Sequence, residues 1–130
     1  MNTKIDVLKQ VPLFAGLSRA ELKLVASTAD ELVVPAGTSL TIEGERGREF
    51  FVLVEGVATV EQDGLEIRTL VGGDFLGEIS LLTRTPRTAT VTAVVPVRLL
   101  VLTDRDFRRL ADEVPAFAAR TWAAADQRLR

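Results

Sequence analysis

Cysteine and histidine are both missing from the 130 residues. Without cysteine there is no disulfide, no thiolate zinc site and no iron–sulfur cluster. Without histidine, most catalytic triads, haem sites and imidazole-based metal sites fall away. An excess of one charge is also absent: 16 Lys and Arg stand against 18 Asp and Glu, a net charge of −2. A dedicated DNA-binding domain ordinarily carries a basic face. Here the basic residues are scattered, apart from Arg105, Arg108 and Arg109 and then Arg128 and Arg130. Those two clusters read as solvated helix faces. No apolar run approaches the length of a membrane span, and the opening MNTKIDVLKQV lacks the apolar core of a secretory leader. These absences predict a cytoplasmic protein that binds neither nucleic acid nor membrane, holds no metal and is not an enzyme.

What is present is a large apolar fraction, 47% of residues, in a chain of one-domain length. Residues 1–130 are therefore expected to form a single domain with its own core. Ser18 and Glu21 have capping-box spacing. Leu17 and Leu22 flank the cap as a hydrophobic staple, and Leu22, Val25, Ala26 and Ala29 repeat at helical spacing, which predicts a helix over 19–28. From Glu31 the pattern changes to short β-rich runs separated by turn residues. Those runs are Leu32 to Val34, Leu40 and Ile42, Phe50 to Val54, Val57 to Glu61, the alternating Leu65, Ile67 and Thr69, Thr88 to Ala93, and Val97 to Leu102. Asp63–Gly64 is a type I′ hairpin signal. Asp104 then caps a helix with Phe107, Leu110, Ala111 and Val114 on one face. Pro115 suits the first turn of another helix, along which Phe117, Ala118, Thr121, Trp122, Ala125 and Leu129 form a stripe. The expected fold is mainly β with flanking helices. It is an eight-stranded β-roll of jelly-roll type, with an N-terminal helix, a short internal helix and two C-terminal helices.

The chemistry concentrates in GDFLGEISLLTRTPRTATV, residues 73–91. Gly77 precedes Glu78, Ile79, Ser80, Leu81 and Leu82, a run long enough for one or two helical turns. The start of such a helix exposes unpaired N–H groups, and glycine there lets an anion approach the backbone. Arg87 follows Glu78 by nine residues, beyond a turn containing Pro86. It can add a bidentate contact to the same anion. A carboxylate beside an anion site makes sense when the ligand also carries a hydroxyl that Glu78 can accept from. Phosphate, hydroxyl and an apolar surround together describe a nucleotide. The plainer alternative pairs Glu78 with Arg87 as a structural salt bridge, and the residues alone leave both open. The glycines at 44, 47, 56 and 64 read as turn formers. Phe50, Phe51 and Phe75 read as core, and Phe107 as packing the first C-terminal helix onto the roll.

Gly77–Glu78, the apolar stretch Ile79 to Leu82 and Pro86–Arg87–Thr88–Ala89 resemble the phosphate-binding cassette of the cyclic-nucleotide-binding domain family. That family includes the catabolite activator protein, the protein kinase A regulatory subunit and the cyclic-nucleotide-gated channels. FAGLS (14–18) and EGERGREFFVLVEGVATV (43–60) are similar to its upstream segments. The resemblance implies a receptor for cAMP or cGMP with no further cofactor. By it, Arg87 binds the exocyclic phosphate oxygens and Glu78 accepts from the ribose 2′-hydroxyl. Gly77 with the N–H groups of Ile79 and Ser80 completes the anion cradle. In the family an alanine at the position of Thr88 favours cAMP, whereas a hydroxyl there is associated with tolerance of cGMP. Ala89 completes the motif. Trp122 is either a candidate cap over the base or a core residue. Since no helix-turn-helix, kinase or channel segment is read in the sequence, the expected output is a signal to a separate protein partner in trans. The C-terminal helix is a candidate homodimer contact. A nucleotide-independent scaffold or oligomerisation module of the same fold is the competing expectation.

Overall fold

The computed structural model describes residues 3–129. Helix α1 (Lys4–Lys9) is short and held by a capping box, in which Thr3 and Asp6 each accept from the other's backbone N–H at 3.2 Å. The periodicity of the sequence does not announce it, because six residues hold too few turns to show a repeat. A single 3₁₀ turn over Pro12–Phe14 leads on to α2 (Arg19–Thr28), whose Ser18–Glu21 capping box forms as expected, at 2.9 and 3.1 Å.

Eight strands follow in the order β1 (Asp30–Val34), β2 (Ser39–Thr41), β3 (Glu49–Glu55), β4 (Val57–Gln62), β5 (Leu65–Val71), β6 (Phe75–Leu76), β7 (Thr90–Ala93) and β8 (Val97–Thr103). They form two antiparallel four-stranded sheets, β1-β8-β3-β6 and β2-β7-β4-β5. This is the β-roll with flanking helices that the sequence predicts. The turn between β4 and β5 has positive φ at both Asp63 (52°) and Gly64 (79°), as a type I′ hairpin needs. Between β6 and β7 lies α3 (Glu78–Thr83), and after β8 come α4 (Asp104–Glu113) and α5 (Pro115–Arg128). The cap of α4 is Thr103, whose hydroxyl accepts from Asp106 N at 3.1 Å, and not Asp104, which is the first helical residue.

The central strands β3 and β8 of the first sheet are buried on both faces, which explains why β3 reads as an unbroken apolar run rather than an alternating one. Phe50 and Val52 face the helices, packing with Leu100, Leu102, Phe107, Leu110 and Phe117. Phe51 and Leu53 face the interior of the roll with Leu99, Val97, Val60 and Leu70. Phe50 is the hub of the helical core, with ring centroids 5.0 Å from Phe107, 5.5 Å from Phe75 and 5.7 Å from Phe117. This aromatic cluster fixes α4 and α5 against the roll and so sets where the end of α5 reaches.

In β5 the sequence pattern misleads. Leu65 and Ile67, the apolar members of the alternation, are 70% and 53% exposed, while Leu70 faces the core at 2%. Strand period then places Arg68 on the inward side with Leu70. The inward face at this point is polar because it borders a cavity.

Candidate functional site

The cavity sits between α3, β4, β5 and the turn before β7, and leaves about 50 Å³ of room. Gly77, Glu78, Ile79, Ser80, Arg87, Thr88 and Ala89, the residues singled out in the sequence, all line it. Apolar walls come from Val60, Leu70, Leu76 and Val91. A second cleft of about 250 Å³ adjoins it, sharing Arg68, Thr88, Ala89 and Arg128.

Gly77 caps α3 in a left-handed conformation, φ 97°. A Cβ there would lie 2.8 Å from Glu49 O and 2.9 Å from Arg87 Nη1. Glycine is therefore required twice, by backbone conformation and by the approach of the arginine. Arg87 is 7% exposed. It donates to Gly77 O at 3.2 Å and to Glu49 O at 2.6 Å. A guanidinium has five N–H donors, so these contacts orient Arg87 and leave donors for an anion. The loop between β2 and β3 grips its backbone, with Arg87 N donating to Glu45 O (2.8 Å) and Gly44 N donating to Arg87 O (2.9 Å). Gly47, read as a turn former, has a tighter duty, since a Cβ there would fall 2.2 Å from Ser80 Oγ and 3.0 Å from Arg87 Cζ. Burial lowers the Arg87 pKa, Glu49 and Glu78 pull it back up, and the guanidinium stays charged.

Glu78 is 1% exposed. It does not form the salt bridge with Arg87 that was the plainer alternative; its partner is Arg128. Arg128 Nη1 reaches both carboxylate oxygens of Glu78, the second at 2.8 Å, and Nη2 donates to Phe75 O at 2.9 Å. The guanidinium also stacks over the Phe75 ring, 5.1 Å from its centroid. Burial raises the Glu78 pKa above the ordinary carboxylate range. The charge of Arg128, the residue's own backbone N–H and Arg68 pull it partly back. Arg68 is depressed by burial and by the like charge of Arg128.

Two expectations change here. Arg128 is not on a solvated helix face: its side chain is 16% exposed and spans 50 residues of sequence to Glu78. Arg130, of the same cluster, lies outside the described residues. Arg108 is likewise engaged, pairing with Asp104 (2.7 Å) and donating to Leu81 O (2.9 Å), whereas Arg105 and Arg109 are exposed. Trp122 is 51% exposed and absent from the cavity wall, so it is not the core residue that was the alternative to a cap. Arg128 stands at the cavity from the same helix. Arg68 and Arg128 are the lining residues that sequence reasoning missed. With Arg87 they set three guanidiniums against one carboxylate, an arrangement that attracts an anion also carrying a hydroxyl or a polar ring edge.

The chain belongs to the cyclic nucleotide-binding domain family, whose sequence model matches residues 31–114. Among curated proteins, the cAMP-dependent protein kinase regulatory subunit of Yarrowia lipolytica is 37% identical over 82% of this chain and 29% of its own length. The chain thus spans less than a third of the curated relatives it matches first. Among solved structures, "Sp-2Cl-cAMPS bound to PKAR CBD2" superposes with a TM-score of 0.82 at 29% identity, covering 94% of this chain and 84% of that one. The Thermus thermophilus catabolite activator protein gives 0.80 at 30% identity, with 92% and 58% covered. Among the described residues no helix is long and apolar enough to cross a membrane.

Proposed function

We propose that this domain is a non-enzymatic receptor for a cyclic nucleotide, cAMP or cGMP, and passes the binding signal to a partner protein. The observation that carries the reading is the convergence on one cavity of Arg87, the first N–H groups of α3 and the buried Glu78. The exocyclic oxygens of the cyclic phosphate take the free donors of Arg87 and the N–H groups of Ile79 and Ser80. The ribose 2′-hydroxyl donates to Glu78. A carboxylate has about four acceptor sites, so Glu78 can hold Arg128 and the ribose together. The base extends into the adjoining cleft, within reach of Thr88 and beside Arg68. Arg128, not Trp122, then closes the cavity from α5. The names of the kinase regulatory subunits and the cAMP-analogue complex among its relatives support this reading. It carries with it a cytoplasmic location and, through the exposed Trp122 of α5 and Leu129 at its C-cap, a homodimer contact.

Calorimetric titration with cAMP, cGMP and 5′-AMP tests the proposal. Saturable binding of a cyclic nucleotide, weak binding of 5′-AMP and no conversion of one into the other are expected. Absence of heat with either cyclic nucleotide at millimolar concentration would leave the scaffold as the surviving reading.

A further inference from the structure

Along α3, beyond Ser80 from the nucleotide cavity, lies another open cleft of about 460 Å³. Three arginines from three separate segments border it: Arg46 from the β2–β3 loop, Arg84 from the turn after α3 and Arg108 from α4. Asp104 is its one carboxylate, and Arg108 pairs with it. Among the described residues Arg46 and Arg84 are exposed and form no ion pair. The cleft is thus a concave surface with unneutralised positive charge on a chain whose net charge is −2.

The backbone adds a second, independent observation. Arg84 closes α3 in the left-handed region, φ 56° and ψ 40°. Only Arg84 and Asp63 do so among the described non-glycine residues. Glycine fits such a helix end without strain. An arginine held there against that preference points to work for its side chain.

We infer that this cleft docks an acidic segment of the partner protein, with its carboxylates paired to Arg46, Arg84 and Arg108. Guanidiniums match carboxylates bidentately, and three from separate segments suit a short stretch of chain better than a single ion. The cleft lacks the extended basic face that nucleic acid requires. Its wall also leans on the nucleotide cavity. Ser80 lines both, and Gly47 is packed so closely against Ser80 Oγ and Arg87 Cζ that no Cβ fits between them. A segment docked here therefore senses the position of Arg87 one residue layer away. The docking itself deepens the partner half of the proposed function and does not depend on the nucleotide half.

The test is fluorescence anisotropy of a labelled oligoglutamate peptide with the full chain at low salt. The double variant Arg46→Glu/Arg84→Glu is expected to weaken binding by about tenfold or more. Arg105→Glu, which reverses an exposed charge outside the cleft, is expected to leave it within twofold. A second variant, Arg84→Gly, relieves the left-handed strain, so it is expected to melt higher than wild type yet bind the peptide more weakly. The proposal is overturned by equal peptide affinity in wild type and the double variant, or by an equal loss in Arg105→Glu, which would make binding a response to net charge and not to this cleft. Binding of phosphatidylserine vesicles but not of the peptide, lost in the double variant, would also overturn it by making the surface a lipid site. Calorimetry with cAMP on the same wild-type preparation reports the nucleotide reading separately.

Discussion

Arg87 and Glu78 are both buried, yet in the proposed complex they meet different parts of a nucleotide. Arg87 faces a full phosphate charge, and removing the buried partner of such a charge costs roughly 2–5 kcal/mol. Glu78 meets a neutral hydroxyl, where a hydrogen bond to a charged group nets roughly 1.5–3 kcal/mol. Arg87→Ala is therefore expected to abolish measurable cyclic-nucleotide binding, and Glu78→Ala to weaken it by less. Small and equal losses, read by calorimetry, would mean that the ligand sits elsewhere. In the same proposal Thr88 bears on a finer choice, since it lines both the cavity and the cleft beside it. Its hydroxyl can accept from the 2-amino group of a syn guanine, a group that adenine lacks. Thr88→Ala is then expected to raise the cGMP dissociation constant by about one hydrogen bond, roughly 0.5–1.5 kcal/mol, and that of cAMP little. An unchanged ratio of the two constants would reduce Thr88 to a strand residue and shift the choice to Arg68 and Arg128.

At the scale of elements, the decisive contact joins the end of α5 to the start of α3. Breaking a buried ion pair leaves the surviving charge uncompensated, at a cost of about 3 kcal/mol. In Arg128→Ala that charge is Glu78, already raised by burial and then deprived of its strongest lowering neighbour. A raised folded pKa means that the native state keeps its proton while the unfolded chain has lost it. Stability then falls as pH climbs from the ordinary carboxylate range to the raised value. The window is wider in the variant than in wild type. The destabilisation by Arg128→Ala, measured by thermal melts, is therefore expected to be largest at neutral pH and to shrink in acid. Placed in the background of Glu78→Gln, the same substitution should cost much less. A pH-independent cost would show that α5 does not depend on this pair. The contact was not legible in the sequence, because Arg128 and Glu78 are 50 residues apart and no spacing rule links them. The cassette from Gly77 to Ala89 was legible because its residues follow one another in one short segment, although Glu45, Gly47 and Glu49 hold Arg87 from outside it. The Ser18 cap, the Asp63–Gly64 turn and the Pro115 helix start were legible for the same reason. Inversion in β5 escaped because alternation says which residues share a face, not which face is wet. A polar cavity inside the roll turned Arg68 inward and left Leu65 and Ile67 outside.

For the whole molecule, the cavity is lined from β2, β4, β5, β6, α3, β7 and α5, so a ligand there bridges segments far apart in sequence that separate on unfolding. Glu78 comes from the segment after β6, Arg87 from the turn before β7, Arg68 from β5 and Arg128 from α5. A ligand that binds only this assembled state stabilises it by RT ln(1 + [L]/Kd), about 2.7 kcal/mol at a hundredfold excess over Kd. For a domain of this size each kcal/mol moves the melting temperature by roughly 4 °C, so saturating cyclic nucleotide is expected to raise it by about 10 °C. The rise should grow with the logarithm of ligand concentration, as mass action requires, and should be nearly absent with 5′-AMP. A linear phosphate places its charge beyond the point that Arg87 and the N–H groups of α3 share. Arg87→Ala should remove the shift while melting as a folded domain, because the guanidinium's own contacts are only two carbonyls, Gly77 O and Glu49 O. A shift of equal size with 5′-AMP, or one that survives in Arg87→Ala, would show that the cavity holds the base without reading the cyclic phosphate, and the receptor assignment would fail at its central contact.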